Sequence, residues 1–199
     1  MFPQCLDTLL KHDIETFNHC IRVANIAKWV GRCIQLTEYE INDLYDSAIL
    51  HDVGKIKIPI KILNKPGPLN SNQMKLIKMH PAWGSELIAE KQIKNGILSH
   101  HEKYDGSGYP YGIKGKEIPL NGRIIAIVDS LDAMLIKRPY RKNLSLQEAF
   151  KEIEQYSGVY YDPDIVTPIL LRKKDFKHNF YTISYKELSD KILLNSISV

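Results

Sequence analysis

The sequence predicts an all-α domain, a helical bundle interrupted by one long glycine-rich loop. Apolar residues recur at helical spacing in segment after segment, and alternating runs long enough for a sheet are scarce. Several helix starts carry their own capping chemistry, with S/T-x-x-E boxes at Thr37/Glu40 and Ser145/Glu148 and an Asp162–Pro163 start. At 199 residues with 44% hydrophobic and 25% charged content, one compact soluble core is enough.

In order along the chain, the first helix is expected over about Ile14 to Cys33, packing through Phe17, Ile21, Ala24 and Trp29. The second opens at the Thr37 box, presents Ile41, Leu44, Tyr45, Ala48 and Ile49 as one apolar stripe, and delivers His51 and Asp52 at its end. Gly54, Pro59, Pro66, Gly67 and Pro68 then punctuate a connector with at most a short helix. Helical pattern resumes near Ser71 and carries on past Pro81, and another helix ends near His100 and His101. Residues 104–119, YDGSGYPYGIKGKEIP, read as a loop without a regular element; a loop of that length inside a compact domain is usually functional. Helix returns over Leu120 to Ile136 and after Ser145 and Asp162, and Ser184 with Glu187 suggests a last one. The expected division is a domain over 1–171 and a C-terminal extension over 172–199, helical and packed on the same domain.

The bulk numbers exclude several function classes. A formal net charge of +4 is too weak to argue for binding polymeric nucleic acid, although it favours an anionic substrate where a pocket gathers it. No run approaches the ~18 apolar residues of a membrane span, and the start lacks a signal-peptide pattern, so a cytoplasmic address is expected. Cys5, Cys20 and Cys33 suit neither a disulfide framework nor a zinc site and read as reduced packing residues.

The chemistry lies in the histidines and carboxylates. Alone, His51-Asp52 reads as a capping carboxylate beside a half-buried histidine. Glu15 and His19 stand four apart, on one helix face with β-carbons about 5–6 Å apart, as two ligands of one site or as a solvated face. His80 precedes a proline. His100 and His101 diverge by about 100° around a helix and can address neighbouring metals. Asp129 sits in the apolar run IIAIVDSLDAM, where a carboxylate is costly unless it meets a cation or a donor. His12 and His178 fall outside the pattern.

HDVGK at 51–55, KILNKPGPL at 61–69, HP at 80–81, HHEKYDGSGYP at 100–110 and RPYR at 138–141 resemble the HD-GYP family in content, order and spacing, over about residues 11 to 170. The resemblance implies the helical bundle of the wider HD superfamily. It also implies a phosphodiesterase that hydrolyses cyclic di-GMP to the linear dinucleotide pGpG or to GMP, with two or three divalent transition metal ions, often iron or manganese. The implied ligands are Glu15, His19, His51, Asp52, His80, His100, His101 and Asp129, with Asp52 bridging and Glu15 matching the extra ligand of trinuclear members. Lys55, Arg138 and Arg141 match basic residues that meet substrate, and Asp52 and Lys55 are the catalytic pair. Tyr109 stacks on a base or orders the loop. Two departures touch no ligand: SLDAMLIKRPYR lacks the small polar residue usual before the basic motif, and Arg141 stands where some members carry Lys.

Imidazole and carboxylate without thiolate suit iron or manganese better than structural zinc. Three rivals remain at this stage. The substrate can be cyclic GMP-AMP; the chain can be a non-catalytic cyclic di-GMP receptor, or a docking module that meets a protein partner through the GYP loop; or it can be a general nucleotide phosphohydrolase.

Overall fold

The computed structural model describes residues 2–136 and 143–176. Among the described residues the architecture is helical, without a strand; one isolated bridge joins Ser157 and Tyr161. Ten α-helices follow in order: α1 (Phe2–His12), α2 (Ile14–Cys33), α3 (Glu38–Leu50), α4 (Ile60–Leu63), α5 (Ser71–Ile77), α6 (His80–Glu86), α7 (Lys91–Ser99), α8 (Leu120–Leu135), α9 (Leu146–Gln155) and α10 (Pro163–Leu171).

The long helix α2 runs through the centre, packed along α3 and α8. Its Val23, Ala24, Ile26 and Ala27 are fully buried, as are Leu44 and Ala48 of α3 and Ile124 and Val128 of α8. Each large aliphatic side chain buried this way contributes roughly 1.5–3 kcal/mol. The stripe expected on α3 faces this core, with Tyr45 at its edge carrying the Lys28 ammonium 4.2 Å above its ring. Both capping boxes form, and the Asp162 side chain accepts from Asp164 N–H.

The structure corrects the sequence expectations in three places. A helix, α1, precedes Ile14; its Leu6 and Leu9 are buried, and Asp13 ends it by turning extended and accepting the Thr16 N–H at 2.9 Å to cap α2. Phe2, Cys5, Leu6, Leu9 and Leu10 recur at i, i+3, i+4, i+7 and i+8, so the amphipathic signal for this helix is present in the sequence. The helix expected to pass through Pro81 instead breaks at Lys78 and Met79. Proline disfavours helical geometry in the residue before it and lacks an N–H, so α6 restarts with Pro81 in its first turn and His80 at its head. The loop over 104–119 contains one short 3-10 turn, Gly115–Glu117, and a second turn of that kind, Val53–Lys57, follows the His51-Asp52 pair.

The helix expected after Ser184 lies outside the described residues. Phe176 is buried edge-on against Trp29, with ring centroids 5.1 Å apart, so the chain still contacts the core there. No described helix is long and apolar enough to cross a membrane.

Candidate metal centre and active site

Three helix ends and two helix bodies bring the histidines together. His51 caps the C-terminus of α3, His80 heads α6, His100 and His101 follow α7, and His19 and Asp129 project from the middles of α2 and α8. Gly54 permits the tightest approach: a Cβ there would lie 2.0 Å from the His80 carbonyl oxygen, so any side chain would push the HD turn off α6.

The rings are aimed by their outer nitrogens. Nδ1 of His51, His80 and His100 faces the carbonyl oxygens of Ala48, Ile77 and Ile97 at 2.7, 2.7 and 2.6 Å, and His19 Nδ1 faces Asp132 Oδ2 at 2.7 Å. These partners only accept, so each Nδ1 carries the proton and donates. Each Nε2 is thereby turned inward, as second-shell partners do for metal-binding histidines.

Inside the ring of Nε2 atoms lie two carboxylates. Asp52 Oδ1 is 3.1 Å from His80 Nε2, and Asp52 Oδ2 is 3.4 Å from His51 Nε2 and 3.7 Å from His19 Nε2. His19 Nε2 is 3.1 Å from Asp129 Oδ1. The Lys55 ammonium, expected to face substrate, rests on Asp52 Oδ2 at 2.5 Å.

The electrostatics follow from this crowding. Burial opposes the charge on Asp52, yet Lys55 and His51 hold its carboxyl well below the usual range; His19 does the same for Asp129. Burial also works against protonating His19, but Asp129 and Asp132 raise it to about 9, and Asp52 raises His51. Burial and the neighbouring imidazoles keep His100 neutral, and burial lowers His101 to about 4.

These atoms fit metal ions. His51 Nε2 and Asp52 Oδ1 are fully buried yet make no hydrogen bond, an arrangement proteins rarely leave without a cation or water. His80 and His100 face each other Nε2 to Nε2 at 3.2 Å; with both Nδ1 atoms committed as donors, neutral rings present two lone pairs to one another. A shared proton or a cation relieves that. Ligand atoms converge to within 4.8 Å in three groups: His80, His100 and His101; His19, His51 and Asp129; Cys20, His51 and Asp52.

Of the residues expected at the site, seven ligand candidates and Lys55 converge here. Glu15 lies one turn before His19 on α2, exposed, and is absent from the converging groups. Tyr109 stacks on His101 with centroids 4.7 Å apart and planes 23° from parallel, so its ring sits at the centre's wall. Arg138, Arg141 and His178 lie outside the described residues. His12 serves the fold, donating through Nε2 to the Ile58 carbonyl at 2.9 Å.

Sequence reasoning missed two residues. Asp132, buried, takes His19 Nδ1–H and a two-pronged contact from Arg22 at 2.8 and 3.1 Å. Its signal was available: it stands three residues after Asp129 in the same apolar helix, as Arg22 stands three after His19, so each pair shares a helix face. Cys20, taken as packing, places its thiol beside His51 and Asp52. Nothing in its spacing announces that.

Glu102 organises the loop that follows. Buried, it accepts the N–H groups of Tyr111 and Gly112 at 2.7 and 3.1 Å. Tyr109 N–H bonds back to the His101 carbonyl at 3.1 Å, and a Cβ on Gly108 would lie 2.4 Å from Lys103 N. The loop is thus folded against the segment that carries the paired histidines.

Comparison with known proteins agrees with this geometry. The HD domain family model matches residues 4–165. A Thermotoga maritima protein described as a cyclic di-GMP phosphodiesterase is 40% identical over 169 residues, 82% of this chain and 46% of the relative. A Vibrio cholerae protein described as 3′3′-cGAMP-specific phosphodiesterase 2 is 34% identical over 81% of this chain and 32% of the relative. The chain therefore spans less than half the length of these curated relatives. Among solved structures, a cyclic GMP-AMP specific phosphodiesterase of Vibrio cholerae superposes with a TM-score of 0.64 at 22% identity, covering 96% of this chain and 51% of that one, which supports the shared fold. With the HD pair, the HHE triplet and the GYP loop in one folded unit, the chain belongs to the HD domain family, in its HD-GYP group.

Proposed function

We propose that this chain is a metal-dependent phosphodiesterase that opens cyclic di-GMP to linear pGpG, with GMP as a further product. The observation that carries the reading is the convergence of buried imidazole and carboxylate atoms, with His51 Nε2 and Asp52 Oδ1 left without hydrogen-bond partners, next to the HHE-to-GYP loop. Relatives described as cyclic di-GMP phosphodiesterases support the substrate.

His19, His51, Asp52, His80, His100, His101 and Asp129 would hold the ions, with Asp52 central because both its oxygens face imidazoles. Glu15, one turn from His19, is the proposed ligand for a third ion. The imidazole-carboxylate set suits iron or manganese. When bound, paired divalent ions neutralise phosphate charge and lower the pKa of a water. The chain's own groups do the positioning. Asp132 and the three carbonyls hold the rings, Lys55 supplies a fixed positive charge beside Asp52, and Tyr109 walls His101 from solvent. In the reaction, water adds to one phosphorus and its P–O3′ bond breaks, leaving a 5′-phosphate and a 3′-hydroxyl. Arg138 and Arg141 are proposed to grip the dinucleotide, each through its planar fork. We assign catalysis to residues 1–171 and packing of the same domain to 172–199. Three free cysteines suit a reducing cytoplasm. A protein partner on the GYP loop is a separate proposal, supported by the Tyr111 ring, which is 69% exposed.

Cyclic GMP-AMP is the second substrate reading, favoured by the 34% identical relative described as specific for it. One experiment separates these readings: anaerobically purified protein loaded with Fe(II) or Mn(II), offered both cyclic dinucleotides, with products resolved by chromatography. Linear pGpG is expected. Binding without product over hours would make the chain a receptor, and much faster opening of cyclic GMP-AMP would change the substrate while keeping the chemistry.

A further inference from the structure

Beside the histidine cluster lies a cavity of about 90 Å³ lined by His101, Asp129, Lys103, Ser130, Tyr160 and Tyr161. It shares His100, His101 and Asp129 with the candidate metal centre. The segments carrying Lys103 and Tyr160 are held together by backbone pairing, Tyr104 N–H to the Tyr160 carbonyl at 3.1 Å and Asp105 N–H to the Val159 carbonyl at 2.8 Å.

That pairing sets one cation. The Lys103 ammonium lies 3.7 Å from the centre of the Tyr160 ring, and Tyr160 is backed in turn by Tyr156, stacked 4.6 Å away with planes 9° from parallel. Among the described residues no carboxylate lies within ion-pair distance of Lys103. The two carboxylates in the cavity wall are already engaged, Asp129 with His19 and Glu102 with the N–H groups of Tyr111 and Gly112. A half-buried lysine whose ammonium lies over an aromatic face, in a wall shared with Ser130, Tyr160 and Tyr161, offers a counter-charge to an anion. The space is large enough to admit a phosphate-sized group.

Accepting the function proposed above, we infer that this cavity seats the second phosphodiester of the cyclic dinucleotide, the one not being cleaved, with Lys103 as its counter-charge. A cyclic dinucleotide carries two phosphates on one ring. With one at the cluster, the other is drawn into the same partly desolvated site, where an unpaired charge is strongly unfavourable. Lys103 is the cation that meets it.

The test uses two substrates on the metal-loaded protein: cyclic di-GMP, with two phosphodiesters, and bis(p-nitrophenyl) phosphate, with one. Lys103→Met keeps the stem over Tyr160 and removes the charge. It should lower kcat/KM for cyclic di-GMP roughly tenfold to a hundredfold, mostly through KM, since a spectator phosphate is bound alike in ground and transition states. Hydrolysis of bis(p-nitrophenyl) phosphate, metal content and Tm should stay at wild-type values, and Lys103→Arg should recover most of the loss. Wild-type kinetics on cyclic di-GMP in Lys103→Met, or an equal fall on both substrates, would overturn the subsite and leave the functional reading standing. Wild-type protein that cleaves bis(p-nitrophenyl) phosphate but no cyclic dinucleotide would overturn the functional reading, and the subsite with it.

Discussion

The histidine cluster and the glycine-rich loop sit side by side, yet they are satisfied in opposite ways. The loop closes its own accounts: Glu102 takes two backbone N–H groups, Asp105 takes the N–H and hydroxyl of Ser107 at 2.8 and 2.7 Å, and Tyr109 N–H finds the His101 carbonyl. In the cluster the outer nitrogens and Asp52 Oδ2 are satisfied, but His51 Nε2 and Asp52 Oδ1 are not, and His80 and His100 turn Nε2 atoms on each other. A buried polar group left without a partner destabilises a fold by about 1–3 kcal/mol, so such groups persist where something outside the chain completes them. The contrast separates a segment that shapes the site from one whose inward atoms fit metal ions.

The largest expected effect breaks the cluster at its centre. Asp52→Ala should strip the metal and bring turnover below detection, read by elemental analysis and product chromatography. Retention of full metal with wild-type turnover would mean that Asp52 only caps its turn. Next comes the support of one ring. Asp132→Asn removes an acceptor from His19 Nδ1–H and the charge that Arg22 grips, and should weaken metal affinity about 10- to 100-fold, measured by chelator competition. Unchanged affinity would show that α2 alone orients His19.

The loop side of the comparison is probed by Glu102→Gln. One amide end turns an N–H₂ toward a backbone N–H, so stability should fall by about 1–3 kcal/mol, some 2–12 °C in Tm for a chain of this size, with metal content retained. Loss of metal in that variant would erase the distinction between the two regions. The smallest effect is His12→Ala, which removes the bond to the Ile58 carbonyl; denaturant titration should register about 0.5–1.5 kcal/mol with turnover intact.

How far these features could be read beforehand depended on where their physics is local. The capping boxes at Thr37 and Ser145 and the Asp162 start formed as expected, because a cap is decided within four residues. The α2 boundaries, Ile14 and Cys33, agree for a similar reason: a twenty-residue amphipathic pattern has few alternatives. The break before His80 was legible in Pro81 and was overlooked. Helix α1 was legible as well, in Phe2, Cys5, Leu6, Leu9 and Leu10 at helical spacing.

The sequence by itself determined the helical class, the motif residues and their order, since periodicity, caps and residue type act over a few positions. Tertiary structure alone decided which of those residues meet. Helix ends far apart in the chain converge because Gly54 lets the HD turn touch α6, and because the cores of α2, α3 and α8 fix the distances between their ends. It also brought Asp132 to His19, Cys20 to His51, and Lys103 over Tyr160. Those pairings depend on distance in space, and chain separation carries no information about it.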